Sequence, residues 1–283
     1  MEEKITLTLV FIFSVILSSL FVLPFDQFLG EDPYFHEEIT EFFVKHNHLP
    51  QNNIEEWNEE NSYAAYLEFK LKTYPQGFYY ILYPFHKVLK FFPVFFSGLI
   101  SISVYLYLSK YSKEAGIIAG ILVHTPNFTA HSILLLPEII GLVSLPLILY
   151  LFEKKYYLSG VLLGILFLIH PLSALIGCLG IVITSIFKKK FKNLIISFLI
   201  SFVFAFPHIL VILGEKTNVS YQLGLKLSTE FYSFKEYLKF FGVLIISPLF
   251  IYLSLKKRDY ILATFILFLI FFSVVGVTRV PPE

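Results

Sequence analysis

Long apolar runs alternate with short polar turns along most of this chain. Runs near the length needed to cross about 30 Å of hydrocarbon fall at roughly 5–25, 91–109, 115–130, 132–152, 156–170, 171–187, 193–213, 238–255 and 260–278. Nine helical spans are predicted. Two of these runs meet at "IHPLSA", where Pro171 removes a backbone donor and disfavours helix at the residue before it, so a break is expected after His170. Length agrees: one helix from 156 to 187 would be about 48 Å long at 1.5 Å per residue. The first run lacks an A-x-A-like cleavage site and exceeds the core of a usual secretion signal, so it reads as a retained anchor.

The polar interruptions carry a second pattern. In "PYFHEEITEFFVKHN", Phe35, Ile39, Phe42 and Phe43 recur at helical spacing opposite Glu37, Glu38, Glu41 and Lys45, an amphipathic helix suited to the bilayer surface. A second helix is expected over "NSYAAYLEFKL". After it, "KTYPQGFYYILYPF" breaks at Pro75 and Gly77 before an interfacial aromatic stretch.

Composition confirms the class: 56% hydrophobic residues, 15% charged residues and a mean hydropathy of +0.72 mark an all-α, polytopic integral membrane protein. The single cysteine, Cys178, excludes disulfides within the chain. Net charge is +1, but its layout is uneven. The basic clusters "SKYSKE", "EKK", "KKKFK" and "KKRD" all fall on one side of a nine-span map, and placing that side in the cytoplasm, with the N-terminus, satisfies the positive-inside pattern. The other side then receives the long segment 26–90, the loop 214–237, 16 of the 21 acidic residues and all eight histidines, among them His124, His131, His170 and His208 from three helix ends. Two sequons, at Asn127 and Asn218, fall on that side as well. The expected location is the plasma membrane, with the active face extracytoplasmic.

Candidate chemistry concentrates where the first span ends, in "FLGEDPYFHEEI". Asp32 followed by Pro33 is a strong helix start, with Asp as N-cap and Pro at the first helical position. That role alone accounts for the pair. A carboxylate held there, with His36 one turn along on the same face, also suits a general base for an incoming hydroxyl or a metal ligand.

This arrangement resembles the GT-C membrane glycosyltransferases. The shared features are an inside-to-outside first helix, the acidic "GEDPYFHEEI" opening a long outer segment with interfacial helices, and "YPQGFYYIL" ahead of the second span. "EDPYFH" is similar to the D-P-Y-H-like stretch of the oligosaccharyltransferase catalytic subunit. The resemblance covers about residues 5–213 and makes residues 1–283 one GT-C-like transmembrane domain, with 26–90 as its first outer loop. It implies Asp32 as catalytic base or metal ligand, a polyprenyl- or dolichyl-phosphate sugar as donor, and an acceptor protein, glycan or lipid. A divalent ion, Mg or Mn, would sit on Asp32 and His36 if one is used. Nucleic acid is not an expected partner. No W-W-D-like motif or soluble C-terminal domain is found, which favours a monosaccharide transferase, and the end at "TRVPPE" reads as either a short member or a truncated one.

Further candidates come from position. Glu138 in "SILLLPEIIGLVSLPL" is placed about six residues, or about 9 Å, into a span, where an ionisable group is a functional candidate by default. Its structural alternative is an interfacial Glu bonded to a neighbouring helix. His170 and His208 each adjoin a proline and serve either as donor-site residues or as partners for carbonyls freed by the break. Arg279, one of two arginines, falls on the outer side, where its guanidinium suits a two-bond clamp on a lipid phosphate, while Arg258 belongs to an inner basic cluster. Catalysis is thus assigned to Asp32, His36 and Glu138, and donor binding to Arg279, His170 and His208. The competing classes are a flippase or transporter, disfavoured by the lack of a repeat and of midplane charge, and a non-catalytic membrane subunit or decayed relative.

Overall fold

The computed structural model describes residues 2–25, 28, 32–49, 76–123 and 134–214. Among them every regular element is helical. These are α1 (Glu2–Val22), α2 (Asp32–His46), α3 (Gly77–Leu82), a 3-10 segment (Tyr83–Phe91), α4 (Phe92–Leu108), α5 (Lys113–Leu122), α6 (Glu138–Lys154), α7 (Tyr156–Ile169), α8 (Pro171–Lys188) and α9 (Phe191–Gly214). Four stretches are long and apolar enough to cross a membrane by length and composition: Glu3–Val22, Gly77–Leu108, Pro171–Lys188 and Phe191–Leu210. The shorter α7 is equally apolar. The two spans expected at 238–255 and 260–278, the helix expected over "NSYAAYLEFKL", and most of the third span's second half lie outside the described residues.

The bundle is built in sequence order. Helix α1 packs on α4, α4 on α5 and α6, α6 on α7 and α8, and α7 on α8 and α9. Apolar burial alone does not select partners among lipid-facing helices, so close approach through small residues does. On the α1–α4 seam, Ser14 bonds Ser101 at 2.7 Å and Ser18 bonds Ser97 at 2.6 Å, with residue numbers running in opposite senses as an antiparallel pair requires. On the α7–α9 seam, a Cβ at Gly160 would stand 2.6 Å from the Ser197 carbonyl oxygen, and one at Gly164 would stand 2.8 Å from that of Ser201. Both partners advance by four, so α7 and α9 run parallel. The outer faces of α1 and α9 remain apolar and exposed, with Leu20 at 66% and Val203 at 69%, as befits contact with hydrocarbon.

The break at "IHPLSA" occurs where Pro171 predicts it. Helix α7 ends at Ile169, His170 is extended (φ −149°, ψ 88°), and Pro171 opens α8. Two other expectations need correction. Glu138 is not six residues into a helix: α6 begins with it, because Pro137 holds the preceding turn and Leu135 and Leu136 reach it as buried, non-helical chain. Helix α2 also buries a wider face than the apolar stripe suggested, since His36 and Thr40 are buried with Phe35, Ile39 and Phe43. That face packs on α3 and the 3-10 segment, so α2 docks on protein through the side expected to meet lipid. Likewise Phe78, Tyr79 and Leu82 of the aromatic stretch are core residues, whereas Tyr80 is 60% exposed.

Candidate functional site

Two polar assemblies lie at one end of the bundle. The first is centred on His36. Its Nδ1 lies 3.1 Å from the Tyr79 hydroxyl, and its ring meets Phe35 and Phe78 edge-on at 5.2 and 5.1 Å between centroids. Residues 36 and 40 belong to one face of α2, and the Thr40 hydroxyl donates to the His36 carbonyl at 2.6 Å. An imidazole that is only 3% exposed needs a polar partner, and Tyr79 supplies one from 43 residues away. Asp32 stands on α2 one turn before His36. Its side chain, and therefore its expected N-cap bond, lies outside the described residues.

The second assembly joins α6 to the break between α7 and α8. The backbone N–H of Ser173 donates to His170 Nδ1 at 3.2 Å, which makes His170 the N-cap of α8, and the Ser173 hydroxyl lies 2.6 Å from the same nitrogen. With Nδ1 used as an acceptor, the neutral ring carries its proton on Nε2. That nitrogen faces Glu138 Oε1 at 3.5 Å. Glu138 is the first residue of α6, where the helix dipole favours a negative charge. Gly141, one turn further on, makes the approach of α8 feasible: a Cβ there would fall 2.2 Å from Ser173 Oγ.

Helix α3 ties the two assemblies to one end of the bundle. A Cβ at Gly77, two residues before Tyr79, would lie 2.6 Å from the carbonyl oxygen of Leu168, two residues before His170. His208 follows Pro207 inside α9. Continuing the register of Gly160 with Ser197 and Gly164 with Ser201 brings residues 205 to 208 level with Leu168, so His208 belongs to the same end. Of the predicted residues, then, Glu138 and His170 form a direct pair and His36 has its own partners. Arg279, His124 and His131 lie outside the described residues.

Sequence reasoning missed Tyr79, Ser173 and Gly141. Small residues spaced by three or four in apolar helices were the available signal, as in "GVLLG" over 160–164 or Ser173, Gly177 and Gly180 on α8. Among the described residues no three His, Cys, Asp or Glu side chains come together as a metal site.

The opposite end is built on charge. Glu153, near the end of α6, pairs through Oε1 with Lys110 and through Oε2 with Lys188 at 2.5 Å, and its carbonyl accepts from Lys190 at 3.3 Å. Lys110 also lies 3.9 Å from the Tyr107 ring centroid. Three of the basic clusters seen in the sequence thus meet around one carboxylate, about 22 Å along α6 from Glu138 at 1.5 Å per residue.

No protein-family model, no curated protein and no solved structure matches the chain.

Proposed function

We propose that this protein is a membrane glycosyltransferase of GT-C type that transfers a sugar from a polyprenyl phosphate to an acceptor at the membrane face bearing the histidines. One observation carries this reading: the two stretches on which the resemblance rests, "EDPYFH" and "YPQGFYYIL", pack against each other, with His36 of the first on Phe78 and Tyr79 of the second. Polar groups with exchangeable protons gather at that end, while the other end holds lysines and their counterion.

In the proposed reaction the acceptor hydroxyl attacks the anomeric carbon. The bond from that carbon to the phosphate oxygen breaks, and the polyprenyl phosphate leaves with the bonding electrons, inverting the centre. Asp32 takes the hydroxyl proton as general base. His36, held by Tyr79, and Glu138, held opposite His170, orient the acceptor. Arg279 supplies charge to the leaving phosphate, with His170 and His208 on the donor side. A divalent ion bound at Asp32 and His36 would add charge neutralisation at the phosphate.

The test is Asp32→Asn, which keeps a capping oxygen and removes the base. Asn caps about as well as Asp, so folding persists. Transfer from a short-chain polyprenyl-phosphate sugar falls at least about 10²-fold, the usual cost of losing a general base. Full activity in the variant reduces Asp32 to a helix cap and overturns the assignment.

A further inference from the structure

At the lysine end, the turn between α6 and α7 and the turn between α8 and α9 come together around Glu153. Lys154, Lys155, Lys188, Lys189, Lys190 and Lys192 lie in or beside those two turns, and Lys110 reaches Glu153 from the turn after α4. One carboxylate cannot neutralise such a set. Each ammonium has three donors, and the contacts to Glu153 use one from each of Lys188 and Lys190. Helix α8 even closes with Lys189 in the left-handed region (φ 52°), a position where glycine is usual, so a charged side chain is kept on the surface of this turn.

The surroundings say what kind of anion fits. Tyr157, Phe187 and Phe191 flank the lysines and are 47%, 46% and 53% exposed. Helices α8 and α9, from which two of these rings project, are long and apolar enough to cross a membrane. Exposed aromatic side chains next to lysines, at the ends of apolar helices, match the boundary between acyl chains and headgroups. A small soluble anion would use the lysines and have no need of the rings.

We propose that this end is a binding site for the phosphate of an anionic phospholipid headgroup, with Lys188 and Lys190 as its principal ligands and Phe187, Phe191 and Tyr157 against the adjoining glycerol and acyl region. Glu153 gathers lysines from the end of α8 and from the turns after α4 and α8 in the absence of lipid and leaves them a net positive charge for the phosphate. The site is independent of the transferase reading, since it lies at the far end of α6 from Glu138.

The full chain in detergent would be titrated with short-chain phosphatidylglycerol, short-chain phosphatidylcholine and inorganic phosphate. Thermal unfolding would be followed by exposure of Cys178, a partly buried thiol of α8. Phosphatidylglycerol is expected to stabilise at a concentration at least about tenfold lower than phosphatidylcholine. Lys188→Gln with Lys190→Gln is expected to raise that concentration by roughly 25-fold, at about fivefold for each basic residue at an anionic lipid surface. If that pair weakens the fold by loosening Glu153, Lys154→Gln with Lys155→Gln changes the charge outside the described ion pairs and is expected to move the titration the same way. Equal half-points for the two lipids, an unchanged half-point in the lysine variants, or equal stabilisation by inorganic phosphate would overturn the proposal.

Discussion

The two ends of α6 each present a glutamate, and they are treated oppositely. Glu153 is enclosed by lysine ammonium groups, so it is a counterion that fastens α6 to the end of α8 and to the turn after α4. Glu138 faces the His170 imidazole, itself fixed by Ser173, and that partner is charged only when protonated. Clamped charge suits a structural joint. A carboxylate beside an exchangeable proton suits chemistry or switching. The difference between the ends is therefore a better guide to function than the number of charges at either.

The largest effect is expected where the histidine end depends on a missing side chain. Gly141→Ala drives a methyl group to 2.2 Å from Ser173 Oγ and 2.7 Å from its Cβ. The hydroxyl can turn away only by leaving His170, and Cβ moves only with the backbone, so α6 and α8 must separate. Overpacking of this kind costs about 2–3 kcal/mol. Gly177→Ala is the control on the same seam: its nearest neighbour is a terminal Leu163 methyl at 3.1 Å, which can rotate. Thermal unfolding followed through Cys178 is expected to fall several degrees for the first variant and much less for the second. Equal losses would mean that Gly141 is ordinary seam packing with no special relation to His170.

Glu153→Gln attacks the other end. It leaves the ammonium groups of Lys110, Lys188 and Lys190 close together without the carboxylate charge they share. Removing one partner of a buried pair costs about 3–5 kcal/mol, but Lys188 is 36% exposed and water screens part of the repulsion, so a loss of about 2 kcal/mol is expected. The loss should shrink in high salt, whereas that of Gly141→Ala should not. The same unfolding measurement at low and high ionic strength separates the two ends.

A smaller effect distinguishes the two roles of His170. As N-cap, its replacement by Ala is expected to cost about 1 kcal/mol, and His170→Asn is expected to restore most of this because Asn caps well. Asn cannot carry a proton between Glu138 and solvent. If His170→Asn has native stability and native transferase activity, the imidazole is a cap and nothing else. Native stability with reduced transfer places the ring in the reaction.

Much of the helical layout was legible before any coordinates, because it depends on local rules. Apolar run length marked the helices, Pro171 marked the break, and lysine clusters marked one end of the bundle. Pro137 could have corrected the depth of Glu138, since the rule that worked at Pro171 applies there too. The pairings were not legible. Tyr79 meets His36 and Ser173 meets Gly141 only once α3 and α8 have chosen their neighbours, and that choice is made by serine and glycine seams that look like filler in a hydropathy profile. His36 illustrates the cost: an apolar stripe placed α2 on lipid, but a buried histidine one residue off that stripe belongs to a protein interface.

The smallest effect concerns the acidic face of α2, where like charges are crowded at the histidine end while unlike charges are paired at the lysine end. Partial burial, then repulsion from Glu41, raises the Glu38 carboxyl above its ordinary value of 4.5. The same causes, with Glu38 added, raise Glu37. A carboxyl whose pKa is higher in the folded chain binds its proton more tightly there. Its contribution therefore increases as pH falls through the raised folded value and levels off below the unfolded one. These side chains are partly exposed and water screens their repulsion, so the gain is a few tenths of a kcal/mol. Glu37→Gln with Glu38→Gln should remove that part of the pH dependence and slightly raise the unfolding temperature at neutral pH. Subtracting the variant's profile from that of the parent, between pH 4 and 7, cancels the titration of the histidines and leaves the contribution of the two carboxyls. A difference that grew with rising pH in favour of the parent would mean that these glutamates are paired with cations, and the contrast between the two ends would not extend to α2.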